Sequence, residues 1–385
     1  MKFLHLGDLH LGKSVNNVSM IEDQRYMLGE IIRLTRERQL DAVLLAGDLY
    51  DKNVPTEEAV ALMNDFLCAL AESGVCVFAI SGNHDSDIRL DFASSLLTGR
   101  GVYIAGAYNG TIPHFDAEDE YGPVHFWLLP FVKASRVRYF HKDLDTSTYD
   151  AAVRSALSGA EVNTQERNVL IAHQFVTAGG QDPALSGSET RRAESVGTVE
   201  KVDASAFAQF DYTALGHIHR SQRVGSDHIR YAGSLLKYSL SEAGQDKAFP
   251  IVTLGEKGDV RVEPVTIKPL HDMRHITGRF AQLTDPANVT EPEDYMYVTL
   301  TDEEMILDAL LKIRRIYPNV LKLDYNNRHT ADIENFDITQ TASQKSFPEI
   351  IDGFCRYVLG REPGEEEWKA INAAAKEAGI LDETD

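Results

Sequence analysis

The chain has 385 residues, 43% of them hydrophobic and 25% charged, with a formal net charge of −21. That length exceeds one ordinary domain, and the composition is globular, with an ample core and no low-complexity bias. No run approaches the ~18 apolar residues of a membrane span, the N-terminus is uninformative for export because Asp8 interrupts its apolar run and no small-residue cleavage site follows, and three cysteines without CxxC spacing argue for reduced, buried thiols.

These features make a cytoplasmic protein the expectation. The acidic balance speaks against nucleic acid, whose backbone is bound by Lys and Arg. Local basic clusters soften it: Lys133, Arg136, Arg138 and Lys142 with Tyr139 and Phe140 among them, then Arg191 and Arg192, then Lys312, Arg314, Arg315 and Lys322.

Along residues 1–269, short β-rich runs alternate with helical patterns. Runs at Lys2–Leu6, Ala42–Ala46, Val75–Ile80, Val169–Ala172 and Tyr212–Leu215 each end just before polar side chains. Asp8 and His10 follow the first, Asp48 and Asp51 the second, Asn83, His84 and Asp85 the third, His173 the fourth, and His217 and His219 the fifth. Gly7, Gly47 and Gly82 precede three of these groups and let the backbone turn tightly. Two amphipathic helices fall between the runs, one with Met27, Leu28, Ile31 and Ile32, the other with Ala59, Leu62, Met63, Phe66, Leu67 and Leu70. The pattern is α/β, with polar groups at strand ends where open α/β sheets place their sites. Later runs at Val124–Leu129, Ile229–Tyr231 and Pro250–Leu254 read as an antiparallel second sheet. The Gly- and Ser-rich stretch 177–198 reads as a mobile loop on the substrate side.

From residue 270 a compact unit follows: a strand at Tyr295–Leu300, a helix over 301–316 with Ile306, Ala309, Leu310 and Ile313 on one face, and a strand at Val320–Tyr325. A polar linker, 332–345, leads to a tail, 346–385, of two helices. The first carries Phe347, Ile350, Ile351, Phe354, Cys355, Val358 and Leu359 as an apolar face. Such a face needs a core or a partner surface to cover it.

Carboxylates with several imidazoles suit manganese, iron or zinc better than an all-oxygen magnesium or calcium cage. Asp8, His10, Asp48, Asn83, His173, His217 and His219 are too many for one ion. They fit a pair sharing one carboxylate, the equipment of phosphatases and nucleases.

The order DxH, GDxxD, GNHD, H, GHxH resembles the calcineurin-like metallophosphoesterase superfamily. Within it, MKFLHLGDLHLGK, AGDLYDKNVPT, ISGNHDSDIRL and the segment from DYTALGHIHRSQ through RYAGSLLKYSLSE resemble the SbcD family of nuclease subunits. The resemblance implies a two-sheet sandwich flanked by helices over residues 1–269, a small α/β capping domain that helps bind DNA over 270–331, and the linker and helical tail. One metal would take Asp8, His10 and His219, the other Asn83, His173 and His217, with Asp48 bridging. Two divalent ions are implied, manganese first and magnesium as the alternative. His84 is the candidate proton donor, with Asp85 to orient its ring. Asp51 stands where archaeal and eukaryotic relatives carry a histidine, and its expected role is support.

The family implies a 3′→5′ exonuclease on duplex ends that also cuts hairpins and single strands. Its partner is an SbcC-like coiled-coil ATPase docked on 346–385, and its place is the cytoplasm, with the nucleoid. No P-loop occurs, so ATP chemistry would come from that partner. The family further implies a homodimer, pairing through the helix 56–73 and the segment 89–97, with Phe66 and Leu96 as test positions. Hydrolysis of a small phosphate mono- or diester is the alternative activity, since metals alone do not separate the two. A non-enzymatic DNA-end adaptor would lack at least one ligand, and none is missing.

Overall fold

In the computed structural model, residues 1–189, 201–326, 347–349, 351–352, 355 and 361–377 are described. The chain divides into two compact units, residues 1–275 with 293–297, and residues 276–292 with 298–385.

The first unit is built on two six-stranded sheets. One runs Val260–Thr266, Ala248–Leu254, Lys2–Leu6, Ala42–Ala46, Cys76–Ile80, Val102–Ala105. Its four strands from Lys2–Leu6 outward pair in parallel, and Ala248–Leu254 joins Lys2–Leu6 antiparallel. These strands are apolar on both faces because both are covered, which is why they lack polar alternation. Helices Ile21–Glu37 and Glu57–Glu72 bury the expected faces, Met27, Leu28 and Ile31 on one and Ala59, Leu62, Met63, Phe66 and Leu70 on the other.

The other sheet runs Gln222–Val224, Ser226–Tyr231, Tyr212–Gly216, Arg167–His173, Gly122–Leu129, His114–Asp119. Here the expectation of an antiparallel sheet is corrected. The four inner strands pair in parallel, and only the two edge strands run antiparallel to their neighbours. Pro250–Leu254, expected here, lies in the first sheet. Helices Ala134–Phe140 and Tyr149–Ser158 form the crossover that parallel pairing requires, in a stretch that reads as turn-rich in sequence.

Phe3, Phe78, Phe126 and Tyr212 lock the sheets face to face. Phe78 from the first stacks on Phe126 from the second at 4.1 Å between centroids, and Phe3 meets both Phe126 and Tyr212 edge-on. His5, wholly buried, also joins the sheets, through the Tyr212 hydroxyl at 3.0 Å and the Leu215 carbonyl at 3.2 Å. Burial holds its pKa down at about 3, so it is a neutral core residue.

A three-stranded sheet is formed by Met273–Gly278, Tyr295–Leu300 and Val320–Tyr325. The helix expected over 301–316 is shorter, Ala309–Arg314. Asp308 takes a left-handed φ of 53°, which an L-residue helix cannot continue through, and Met305 and Leu307 before it are exposed. In the tail, the helix Glu365–Glu377 is described, whereas most of the apolar face from Phe347 to Leu359 lies outside the described residues, as do Arg191 and Arg192. Two further corrections concern single residues. Phe66, named as a test position for self-association, is buried in the core and does not serve as one, and Cys68 is exposed, against the expectation of buried thiols. Among the described residues, no helix is long and apolar enough to cross a membrane.

Candidate metal centre

Five strands from the two sheets end on one spot, because parallel strands present their carboxyl ends on the same side. The backbone there is strained. Asp8, His10, Asp48 and His217 all hold positive φ, at 51°, 45°, 49° and 103°. Non-glycine residues pay for that conformation, and it is kept where the surroundings fix it. The fixing bonds are visible: Asp8 N donates to Gly47 O at 3.0 Å, and His10 N to Asp48 O at 2.9 Å. Gly47, at φ 82°, supplies the turn, and Gly82 a close approach, since a Cβ there would sit 2.1 Å from Asp48 Oδ1.

All seven expected ligands converge. His10 Nε2 and His219 Nε2 lie 3.1 Å apart, and ligand atoms of Asp8, His10 and His219 fall within 4.8 Å of one another. On the other side, Asn83 Oδ1 is 3.1 Å from His173 Nε2 and 3.0 Å from His217 Nδ1. Between the two groups stands Asp48, whose Oδ2 is 3.7 Å from His10 Nε2 and 3.5 Å from His173 Nε2.

Several ring orientations are set from behind. His173 Nδ1 donates to the Ala46 carbonyl at 2.8 Å, so its Nε2 faces Asp48 and Asn83. His219 Nδ1 meets Ser188 Oγ at 2.6 Å. That hydroxyl donates to Glu242, a fully buried carboxylate paired with Lys247, so it accepts from His219 Nδ1–H and leaves the lone pair on Nε2. Ser188 and its neighbour Glu189, which accepts from His219 N at 3.1 Å, tie the described start of the 177–198 stretch to the centre. Residues 190–198 of it lie outside the described residues. Glycine content marks the stretch as a loop, and no sequence pattern marks Ser188 or Glu242 as partners of His219.

The electrostatics suit cations. Burial pushes the Asp8 carboxyl well above its usual range, against the charge of His173. Burial also acts to raise Asp48, but the charge and hydrogen bond of His173, with His10 and His84, bring it far below. Burial lowers His10 to about 4, and His217 to about 3 with help from the charge of His173. Burial lowers His173 too, but the charge and hydrogen bond of Asp48 raise it to about 9, so a metal there would displace its proton, while the neutral His10 and His219 rings, whose nitrogens face one another, gain from positive charge placed beside them. The residues therefore fit the paired metals that their types imply.

His84 is half-buried at the rim, its Nδ1 3.0 Å from the Asp51 carbonyl and its ring 4.9 Å from that of His10. Asp85 does not serve as the expected orienter of that ring. Its carboxylate accepts from Leu49 N, Tyr50 N and Gly82 N at 2.8–3.1 Å and knits the two loops together. Asp51 pairs with Lys13 at 2.7 Å and stands 3.6 Å from His10 Nδ1.

A two-sheet sandwich with carboxylates and imidazoles gathered at its strand ends defines a metal-dependent phosphoester hydrolase. Residues 1–221 match the family described as calcineurin-like phosphoesterase, and residues 269–358 a second described as type 5 capsule protein repressor C-terminal domain. The SbcD component of nuclease SbcCD from Staphylococcus epidermidis is 32% identical over 358 residues, 92% of each chain. The chain belongs to the SbcD family of calcineurin-like phosphoesterases. Solved structures with similarity include a dimetal phosphatase from Danio rerio, at 13% identity and a TM-score of 0.41 over 70% of this chain and 98% of that one. TT1561 of Thermus thermophilus gives 12% and 0.40 over 68% and 98%.

Proposed function

We propose that the chain is a two-metal DNA nuclease, a 3′→5′ exonuclease on duplex ends that also cuts hairpins and single strands, working with an SbcC-like ATPase. One observation carries the reading: a single Asp48 oxygen lies between two imidazole groups, in a chain 32% identical to a nuclease component. Asp8, His10 and His219 would hold one ion and Asn83, His173 and His217 the other, with Asp48 shared and manganese as the metal. When bound, such ions lower the pKa of water and offset charge on the phosphoryl oxygens.

The chain's own groups do the rest. His84 Nδ1–H donates to the Asp51 carbonyl, so Nε2 is the atom at which a proton is gained and passed to the leaving oxygen. Asp51, held by Lys13, supports His10 from behind. Asp85 fixes the two loops that carry Asp48 and Asn83.

In this reading residues 1–269 form the nuclease domain, 270–331 a capping domain on the DNA, 332–345 a linker and 346–385 the ATPase-docking tail. Deleting 346–385 should then abolish capture of the ATPase while metal-dependent hydrolysis persists. Self-association would use Ile88, Phe92 and Leu96, spaced four apart and 76%, 82% and 79% exposed. Leu96→Glu should turn a dimer into a monomer in native mass spectrometry. Action on DNA in the cell places the protein with the nucleoid.

The activity is tested with an end-labelled DNA hairpin beside a small chromogenic phosphate ester, with manganese and with chelator, alone and with the ATPase. Manganese-dependent hairpin cutting supports the nuclease. Turnover of the ester alone, with the ATPase present, assigns a small-ester phosphoesterase instead.

A further inference from the structure

We propose that His114, Asp116 and His125 form a further divalent-cation site, suited to zinc or another ion that favours imidazole, on the edge hairpin of the second sheet. His114 and Asp116 lie two apart on the edge strand and share a face. The register sets Asp116 directly opposite His125 on the neighbouring strand. Ligand atoms of the three fall within 4.8 Å of one another. His125 Nδ1 is 2.7 Å from Asp116 Oδ1, and His114 Nε2 is 3.8 Å from the same oxygen. None of the three belongs to the strand ends that build the metal centre.

Both imidazole rings are held before any ion arrives. The second ring nitrogen of His125, Nε2, lies 2.9 Å from the Glu166 carboxylate. An imidazole donating to a carboxylate in this way has its tautomer fixed and its other nitrogen made more basic, the usual support of a ligating histidine. His114 stacks on Trp127 at 4.4 Å and 30°. Trp127 is itself buried and anchored, its Nε1 donating to Asn168 Oδ1 at 3.0 Å. Little ordering is left for binding to impose.

Two imidazoles and one carboxylate favour zinc, nickel or copper over magnesium or calcium, with water completing the shell. Coordination replaces the proton that His125 Nδ1 shares with Asp116, and that proton leaves to solvent; the one at Nε2 stays on the bond to Glu166. The ion would clip an edge strand to its neighbour.

The test is equilibrium dialysis of the full chain against zinc after stripping, followed by elemental analysis. The wild type should retain one equivalent more than His114→Ala or Asp116→Asn, while all three take up manganese alike. Zinc should also raise the melting temperature of the wild type more than that of either variant. Equal zinc content in the three proteins overturns the proposal. Asp116→Asn is an isosteric change at an exposed position, so the comparison survives even if His114→Ala misfolds.

Discussion

His10 and His219, 209 positions apart in the chain, face one another Nε2 to Nε2 at 3.1 Å. Two neutral imidazoles so placed are joined by a single N–H···N bond at most, and where both nitrogens are bare their lone pairs repel. A cation between them satisfies both. Manganese should therefore raise the melting temperature of the stripped protein, rising with the logarithm of free metal once above the Kd. A melting temperature indifferent to manganese up to millimolar concentration would contradict this.

His84 is at the rim and outside both ligand groups, with its backbone N–H on Asp48 Oδ1 at 2.8 Å. His84→Ala should keep the metal content of the wild type and lower phosphodiester hydrolysis by about 10²–10⁴-fold, the usual range for a lost general acid. Elemental analysis beside kinetics checks it, and loss of metal would mean the residue is misassigned.

Ser188 and Glu242 act on the centre through His219. Ser188→Ala and Glu242→Gln should each weaken metal binding by about 10–100-fold, as is typical when the partner of a ligating histidine is removed. Ser188→Thr keeps the hydroxyl and should retain most of the affinity. Calorimetric titration with manganese reads this directly, and unchanged affinity in both damaging variants would reduce the chain of bonds to loop packing.

His125, between Asp116 and Glu166, has a folded pKa raised above 6.5: burial lowers it, but the two carboxylate hydrogen bonds prevail. A raised histidine pKa means that the folded state holds the proton more tightly. The stability it contributes is complete below pH 6.5 and is lost as pH rises through the folded value. Its partners are more than a third exposed, so solvent screening limits the effect to about 1 kcal/mol or less. In metal-free urea melts, the gap between wild type and His125→Gln should narrow from pH 6 to pH 9. A gap that widens would reverse the sign of the argument.

Much of this was legible in the sequence, for reasons particular elements make clear. The strands Lys2–Leu6 and Ala42–Ala46 are short apolar runs that end at Gly-Asp, so hydrophobicity and the turn residue mark the same boundary. That the seven candidate ligands gather in one place was legible because strand ends in an α/β sheet lie on one side. Pairing direction was not, since Gly122–Leu129 and Arg167–His173 look alike whether parallel or antiparallel. The helix over 301–316 shows good periodicity from Ile306 to Ile313, but periodicity does not report the left-handed turn at Asp308. Asp85 sits beside His84 in sequence and yet turns its carboxylate to three backbone N–H groups, a choice that only the folded loops reveal.

In the proposed reading Asp48 would hold two cations, one on the side of His10 and one on the side of His173. Anomalous diffraction at the manganese edge from crystals grown with manganese tests it most directly. Two peaks about 3.5–4 Å apart, flanking the Asp48 carboxylate, are the result predicted. A single peak, or a pair that does not share Asp48, would contradict the account.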